Sequence, residues 1–255
     1  MSNFQKYSAF YDLLYRDKDY VAEVRYVAEK IRSASPSARS ILELGSGTGR
    51  HGRLLADMGF DVYGVERSTD MVAVANSHDK SASDSNGRFA CQVGDICDLD
   101  LGRRFDAVIS LFHVISYQTT DEALSSTFAV AASHLAPGGV FLFDVWHGPA
   151  VMADPPRRRI KTVSDDRYRV HRMARPEVNR DRNTVKVIYD MECEDRGGGE
   201  VIRFSEDHLM RYLFEPEIGR VAVQNGMRIE ESEEFLTRKP PSAETWGVAY
   251  LLRKQ

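Results

Sequence analysis

The chain has 255 residues, 42% of them hydrophobic and 28% charged, which is enough to bury the core of one large α/β domain with an elaboration or of two small domains. A formal net charge of -4 argues against general nucleic-acid binding through a basic surface. No apolar run approaches the roughly eighteen residues of a membrane span, and the opening Met1-Ser2-Asn3-Phe4-Gln5-Lys6-Tyr7 lacks a basic region followed by an apolar stretch, so a cytoplasmic place is expected.

The apolar positions Val21, Val24, Ala28 and Ile31 recur at helical spacing, and the breaker-rich Ser33-Ala34-Ser35-Pro36-Ser37 closes that helix, which predicts an N-terminal helical cap over residues 1–36. From Ser40 short buried strands alternate with helices, the pattern of a doubly wound, mostly parallel sheet. Strands are expected at 40–44, 61–65, 88–93, 106–110 and 140–144, and helices at 50–58, 69–76 and 121–135, with Ala136-Pro137-Gly138-Gly139 stopping the last. These elements make residues 37–150 the expected cofactor-binding core.

After Asp144 the rhythm breaks. Residues 151–214 read as a small antiparallel β insertion following strand five, with strands at 167–173, 184–193 and 200–214 and Asp195-Arg196-Gly197-Gly198-Gly199 as a hairpin turn. A helix at 216–226 and strands at 227–235 and 245–252 complete residues 215–255 and bring the main sheet to seven strands. Between Pro155 and Tyr189 eleven Lys and Arg stand against four acids. Arg167-Tyr168-Arg169-Val170 alternates with period two, so these charges read as wet faces of exposed strands; a phosphate-bearing substrate or RNA is the sharper alternative. The three cysteines, Cys91, Cys97 and Cys193, are odd in number and none pair at metal-ligand spacing, so reduced thiols and no metal site are expected.

Ile41-Leu42-Glu43-Leu44-Gly45-Ser46-Gly47-Thr48-Gly49 runs an apolar strand into an acid and a tight turn with glycine at alternate positions. Glycine admits φ > 0 and lets a ligand approach the backbone, and the helix N-terminus beyond offers free N–H groups. Glu66 ends the second strand, where a ribose diol needs a carboxylate. Gly47-Thr48-Gly49-Arg50-His51-Gly52 also fits a dinucleotide-binding fingerprint, so later residues must decide. Gly94-Asp95-Ile96 follows the third strand, where an acidic turn accepts from an adenine amino group. Phe105-Asp106-Ala107-Val108-Ile109-Ser110-Leu111 ends the fourth in small and apolar residues, where methyl donor and acceptor would meet.

This ordered set resembles the class I S-adenosylmethionine-dependent methyltransferases. The resemblance implies S-adenosyl-L-methionine as cofactor, held by Glu43, Gly45, Gly47, Gly49, Glu66, Met71, Asp95, Ile96 and Leu111, with Tyr15 and Tyr20 closing over it. The tyrosine-rich opening Tyr7-Ser8-Ala9-Phe10-Tyr11-Asp12-Leu13-Leu14-Tyr15-Arg16-Asp17-Lys18-Asp19-Tyr20 is similar to that of the nucleotide-sugar N,N-dimethyltransferases of the desosamine and mycaminose type, which implies N-methylation of a nucleotide-linked amino sugar by a homodimer. The chain departs from them at Tyr117, where macrolide-type members carry His, and in lacking an Arg around Glu244-Thr245-Trp246.

For the acceptor, His113 and His147 follow strands four and five, on the active-site edge of an open parallel sheet, and His208 lies in the last insertion strand. These three and Tyr11 are the candidate catalytic residues; Tyr7, Tyr117, Trp146, Arg211 and Tyr212 are the candidate substrate contacts. His51, His78, His134 and His171 read as surface positions. Alternatives are small-molecule O-methylation with a His base, an RNA methyltransferase resting on the basic segment alone, and a cofactor-binding protein without catalysis.

Overall fold

The computed structural model describes residues 7–77 and 87–255, so His78 lies outside the described residues. Two helices, α1 (Ser8–Leu14) and α2 (Tyr20–Ala34), precede an alternating run: β1 (Ser40–Leu44), α3 (Arg50–Asp57), β2 (Asp61–Glu66), α4 (Thr69–Ser77), β3 (Arg88–Val93), β4 (Phe105–Ser110), α5 (Asp121–His134) and β5 (Leu135–Trp146). Then come α6 (Gly148–Ala153), the antiparallel strands β6 (Arg159–Ser164), β7 (Tyr168–Asn179), β8 (Thr184–Asp195) and β9 (Val201–Arg211), and finally α7 (Glu215–Gln224), β10 (Met227–Glu234) and β11 (Gly247–Lys254).

The main sheet has seven strands in the order β3-β2-β1-β4-β5-β11-β10, parallel except that β11 runs against both neighbours. Helices on both faces explain why its central strands are apolar at successive positions. Ile41, Val62, Ile109 and Leu142 pack with Val24, Val27 and Ile31 of α2 and Leu55 of α3; their chain neighbours Leu42, Val108, Phe141 and Phe143 pack with Phe128 of α5 and Ile218 and Val221 of α7. The helices start where the side chains permit. The Asp19 carboxylate accepts the Ala22 N–H at 2.9 Å to cap α2, and Thr120 Oγ1 accepts the Ala123 N–H at 3.2 Å to cap α5.

The second sheet, β6-β7-β8-β9, lies over the strand ends, its inner face packed on α1 through Val163, Val170, Met191 and Cys193 against Phe10 and Leu14. Its other side carries cross-strand ion pairs, Arg175 with Asp190 at 2.8 Å, Lys186 with Asp207 at 2.7 Å and Arg203 with Glu192 at 2.8 Å. Part of the basic excess between Pro155 and Tyr189 is thus matched by acids on neighbouring strands. After β9, Leu213 bridges to His147 and ties this sheet to the end of β5. No described helix is long and apolar enough to cross a membrane.

Several expectations are corrected. The insertion has four strands, not three: β6 buries only Val163, too little alternation to announce a strand. β5 begins at Leu135, straight after α5, and takes Pro137 and Gly138 into an irregular start where the register with β4 shifts. His51 and His134 are not surface residues. His51 is buried with Nε2 2.7 Å from Glu23, and His134 accepts the Leu101 N–H at 3.0 Å on Nε2 while Nδ1–H donates to Val130 O at 2.8 Å.

Candidate active site

The C-terminal ends of β1, β2, β4 and β5 face one cavity of about 770 Å³, roofed by α1, β8 and β9. Gly45 and Gly47, in the turn after β1, have φ of +77° and +55°. A Cβ on Gly45 would stand 2.5 Å from Val114 Cγ1, whereas one on Gly47 would meet nothing within 4 Å. Packing therefore demands the first glycine, and the second presents bare backbone to the cavity. Glu66 accepts the N–H of Gly47 at 3.0 Å and of Ser68 at 2.9 Å, which fixes its carboxylate at the cavity wall. Met71, Asp95, Ile96 and Leu111 line the same space, Asp95 steadied by the Cys97 N–H at 2.9 Å.

At the other end of this groove stands Arg50, the first residue of α3, its guanidinium 4.4 Å from the Tyr20 ring centroid and its buried Nη1 without a hydrogen-bond partner among the described residues. A guanidinium N–H lacking a partner, bare glycine backbone, a fixed carboxylate and an acidic turn beside Ile96 fit, in that order, an amino-acid carboxylate, a sulfonium-bearing chain, a ribose diol and an adenine ring. The residues present therefore suit S-adenosylmethionine. Arg50 carries no signal in the glycine motif itself; its place at a helix N-terminus is what could have marked it.

Two of the expected cofactor residues stand behind this wall. Glu43 is buried and accepts from Ser46 Oγ at 2.6 Å; burial pushes its carboxyl up to about 7. It shapes the turn from beneath and does not line the cavity. Gly49 caps α3 with φ +75°, and a Cβ there would meet the Phe89 ring at 2.6 Å, so it serves packing. His51, buried rather than at the surface, lines the cavity and joins Glu23, itself ion-paired with Lys18.

The acceptor end is aromatic. Tyr7, Tyr11 and Tyr15 come from α1 and its two ends, Tyr20 opens α2, Tyr117 ends the turn Val114–Tyr117, and Trp146 ends β5. All six line the cavity with His113, Tyr189 and His208. Arg172 of β7 donates from Nη1 to Tyr7 OH at 2.7 Å and Tyr15 OH at 3.1 Å, and its guanidinium lies 4.8 Å from the Tyr189 ring centroid. Burial holds the Tyr7, Tyr11 and Tyr117 phenols far above their ordinary range, so they act as neutral hydroxyls. His208 Nδ1 sits 2.9 Å from Tyr117 OH, and burial, with Arg172 adding to it, pushes the imidazole down to about 4. His113 Nδ1 lies 2.7 Å from Asp144 Oδ2.

Three expected acceptor-side residues are elsewhere. His147 is turned away, its Nδ1 3.1 Å from Thr245 O. Arg211 pairs with Asp121 at 2.6 Å and with Glu217, bracing α5 and α7. Tyr212 is buried against Val151, Val185 and Val187. All three sit at or beyond strand ends where the backbone path, not the residue type, decides direction. Conversely Arg172 and Tyr189 escaped notice. Their signal was period two: Val170 and Arg172, and Val187 and Tyr189, share the inward face of their strands.

With this geometry in view, the comparisons with known proteins fall into place. A family model described as a methyltransferase domain matches residues 41–139. A dTDP-3-amino-3,4,6-trideoxy-alpha-D-glucopyranose N,N-dimethyltransferase from Streptomyces venezuelae is 33% identical over 231 residues, covering 88% of this chain and 90% of its own. Among solved structures, the sugar N-methyltransferase KedS8 from a Streptoalloteichus species superposes with a TM-score of 0.82 at 25% identity, over 100% of this chain and 95% of that one. The S-adenosylmethionine-bound amino pentose methyltransferase CalS10 from Micromonospora echinaspora gives 0.74 at 25% identity, over 100% and 99%.

Proposed function

The chain belongs to the S-adenosylmethionine-dependent methyltransferases, and from that premise we propose that its acceptor is the amine of a nucleotide-linked amino sugar. The observation that carries this reading is the ring of neutral tyrosine hydroxyls around the strand-four end, with Trp146 and the Tyr189 ring completing an apolar wall. Such a surface suits a deoxygenated sugar, whose faces are apolar and whose few polar groups need hydroxyl partners.

The cofactor, when bound, supplies an electrophilic methyl group on a cationic sulfur. The chain's residues provide the rest. Gly45, Gly47, Glu66 and Arg50 hold the donor, and the Tyr11, Tyr15 and Tyr20 rings shield its positive charge and exclude water. Tyr7, Tyr117 and Trp146 orient the acceptor so that nitrogen and methyl carbon lie in line about 3 Å apart. We further propose that the protein is a cytoplasmic homodimer. Cys91, Cys97 and Cys193 are free thiols, the state a reducing compartment maintains, and Ile160 and Leu209 expose apolar surface on the outer face of the second sheet that a second copy would cover. Light scattering tests the mass.

A panel of dTDP- and UDP-linked amino sugars with methyl-labelled cofactor tests the acceptor. Label in an amine product supports the reading; label only in hydroxylated acceptors replaces it by O-methylation. RNA as acceptor is disfavoured by the acid-matched face of the second sheet.

A further inference from the structure

We propose that His113 is the proton acceptor for the substrate ammonium and that Asp144 is its positioning residue, a pair distinct from the Tyr117–His208 contact on the other side of the cavity. This rests on the amine reading above. An amino sugar reaches the enzyme mostly as R–NH3+, which has no lone pair to attack with. One N–H bond must break, and its proton must leave, before the C–S bond of the donor can give way to a C–N bond. The balance is one proton released per methyl transferred, the bonding pair of the broken C–S bond returning to sulfur.

Four histidines come into question, and the structure separates them. His51 lines the cavity but is buried, its Nε2 2.7 Å from Glu23. His147 is turned to the backbone of Thr245. His208 is 1% exposed and held at about 4, too weak a base to take a proton near neutrality and too enclosed to hand one to water. His113 lines the cavity with its side chain 24% exposed, and its Nε2 has no hydrogen-bond partner among the described residues. The ring lies between Phe112 and Trp146, with Gly247 of β11 alongside, where an added Cβ would come into ordinary contact with it at 3.5 Å.

Asp144 does the placing. It is buried, and its carboxylate accepts the His113 backbone N–H at 3.2 and 3.3 Å while Oδ2 stands 2.7 Å from Nδ1 of the same residue. The Nδ1 contact is at hydrogen-bond distance but not aligned as one, a looseness usual before an acceptor is bound. Although burial pushes the Asp144 carboxyl up, His113 beside it, with Lys18 further off, holds it below the usual carboxylate range, so it faces the imidazole as an anion. His51 of α3 also lies within electrostatic reach of Asp144. Phe112 and His113 both take left-handed φ, +64° and +62°, without being glycine. Two consecutive strained residues at a strand end persist only where something holds them, and Asp144 does so through both backbone and ring. An anion on Nδ1 leaves Nε2 as the lone-pair nitrogen and stabilises the imidazolium once the proton arrives.

The test compares Asp144→Asn and His113→Gln with the wild type on a methylated amine acceptor, from pH 6 to pH 10, after calorimetry has shown that each variant still binds S-adenosylhomocysteine. Wild-type turnover of the amine is established first, and its absence refutes the acceptor reading without touching this pair. The expected result is a kcat loss of about 100-fold at pH 7 in both variants. That loss shrinks toward unity once pH exceeds the acceptor's own amine pKa, because the free amine needs no base. A loss that keeps the same ratio across the range, no loss at pH 7, or a loss in Asp144→Asn alone overturns the proposal.

Discussion

Glu43 under the glycine turn offers a prediction that can be worked through in numbers. Its carboxyl is fully buried, and burial lifts it from 4.5 to about 7 even though Ser46 Oγ donates to it at 2.6 Å. The folded chain therefore binds more protons than the unfolded one between those two values. The sign follows: the contribution of this group to stability is complete below 4.5 and is lost as pH rises through about 7. The full difference corresponds to roughly 3 kcal/mol, or about 2 kcal/mol if the upper value is one unit lower. Glu43→Gln removes the titrating group while keeping an oxygen for Ser46. Urea unfolding of both proteins at pH 5, 6, 7 and 8 gives the difference in unfolding free energy at each pH. Any imperfect pairing of the new amide adds an offset that does not vary with pH, so only the trend matters. Wild type should lose about 2 to 3 kcal/mol relative to the variant between pH 5 and pH 8. Parallel curves would refute the account of a carboxyl forced toward its neutral form.

Gly45→Ala and Gly47→Ala should part company: the first adds a Cβ 2.5 Å from Val114 and lowers Tm and cofactor affinity together, while the second costs only about 1 kcal/mol of stability but weakens S-adenosylhomocysteine binding in calorimetry at least tenfold. Arg172→Met should destabilise by about 2 to 3 kcal/mol, through the lost charged donor to Tyr7 and Tyr15. It should also raise the His208 titration seen by NMR from about 4, yet leave it below the ordinary histidine value because burial is the larger cause. Burial holds Cys91 up at about 12 and Cys193 at about 11, so iodoacetamide at pH 8 should modify both far more slowly in the native protein than in urea. Equal rates would place those thiols at the surface.

The donor half was legible because its chemistry is written in short local patterns. Gly45 and Gly47 are demanded by positive φ, Glu66 by its place at a strand end, and Asp95-Ile96 by the turn after β3. The acceptor half is assembled from segments far apart in the chain, and there only Tyr7, Tyr11, Tyr117, Trp146, His113 and His208 could be nominated from density or strand-end position. Arg172 stayed hidden in a run of cations, since nothing local separates the one inward arginine from its exposed neighbours Arg169 and Arg175. Asp144 was read only as the end of a strand; its tie to His113 is a contact across thirty-one positions that no periodicity encodes. Arg211 and Tyr212 failed for a related reason: the residues nearest a bend follow the bend, and its angle is set by α5, α7 and the Leu213 bridge.

The second sheet contributes Tyr189, His208 and Met210 to the cavity through strands β8 and β9, and anchors α1 from above, yet it supplies none of the residues that grip the donor. Selection can therefore rewrite the lid side strand by strand, trading one sugar for another, while the methyl-delivering half is inherited unchanged. Grafting residues 159–211 from a relative with a different acceptor would ask whether nature has already been using that division of labour.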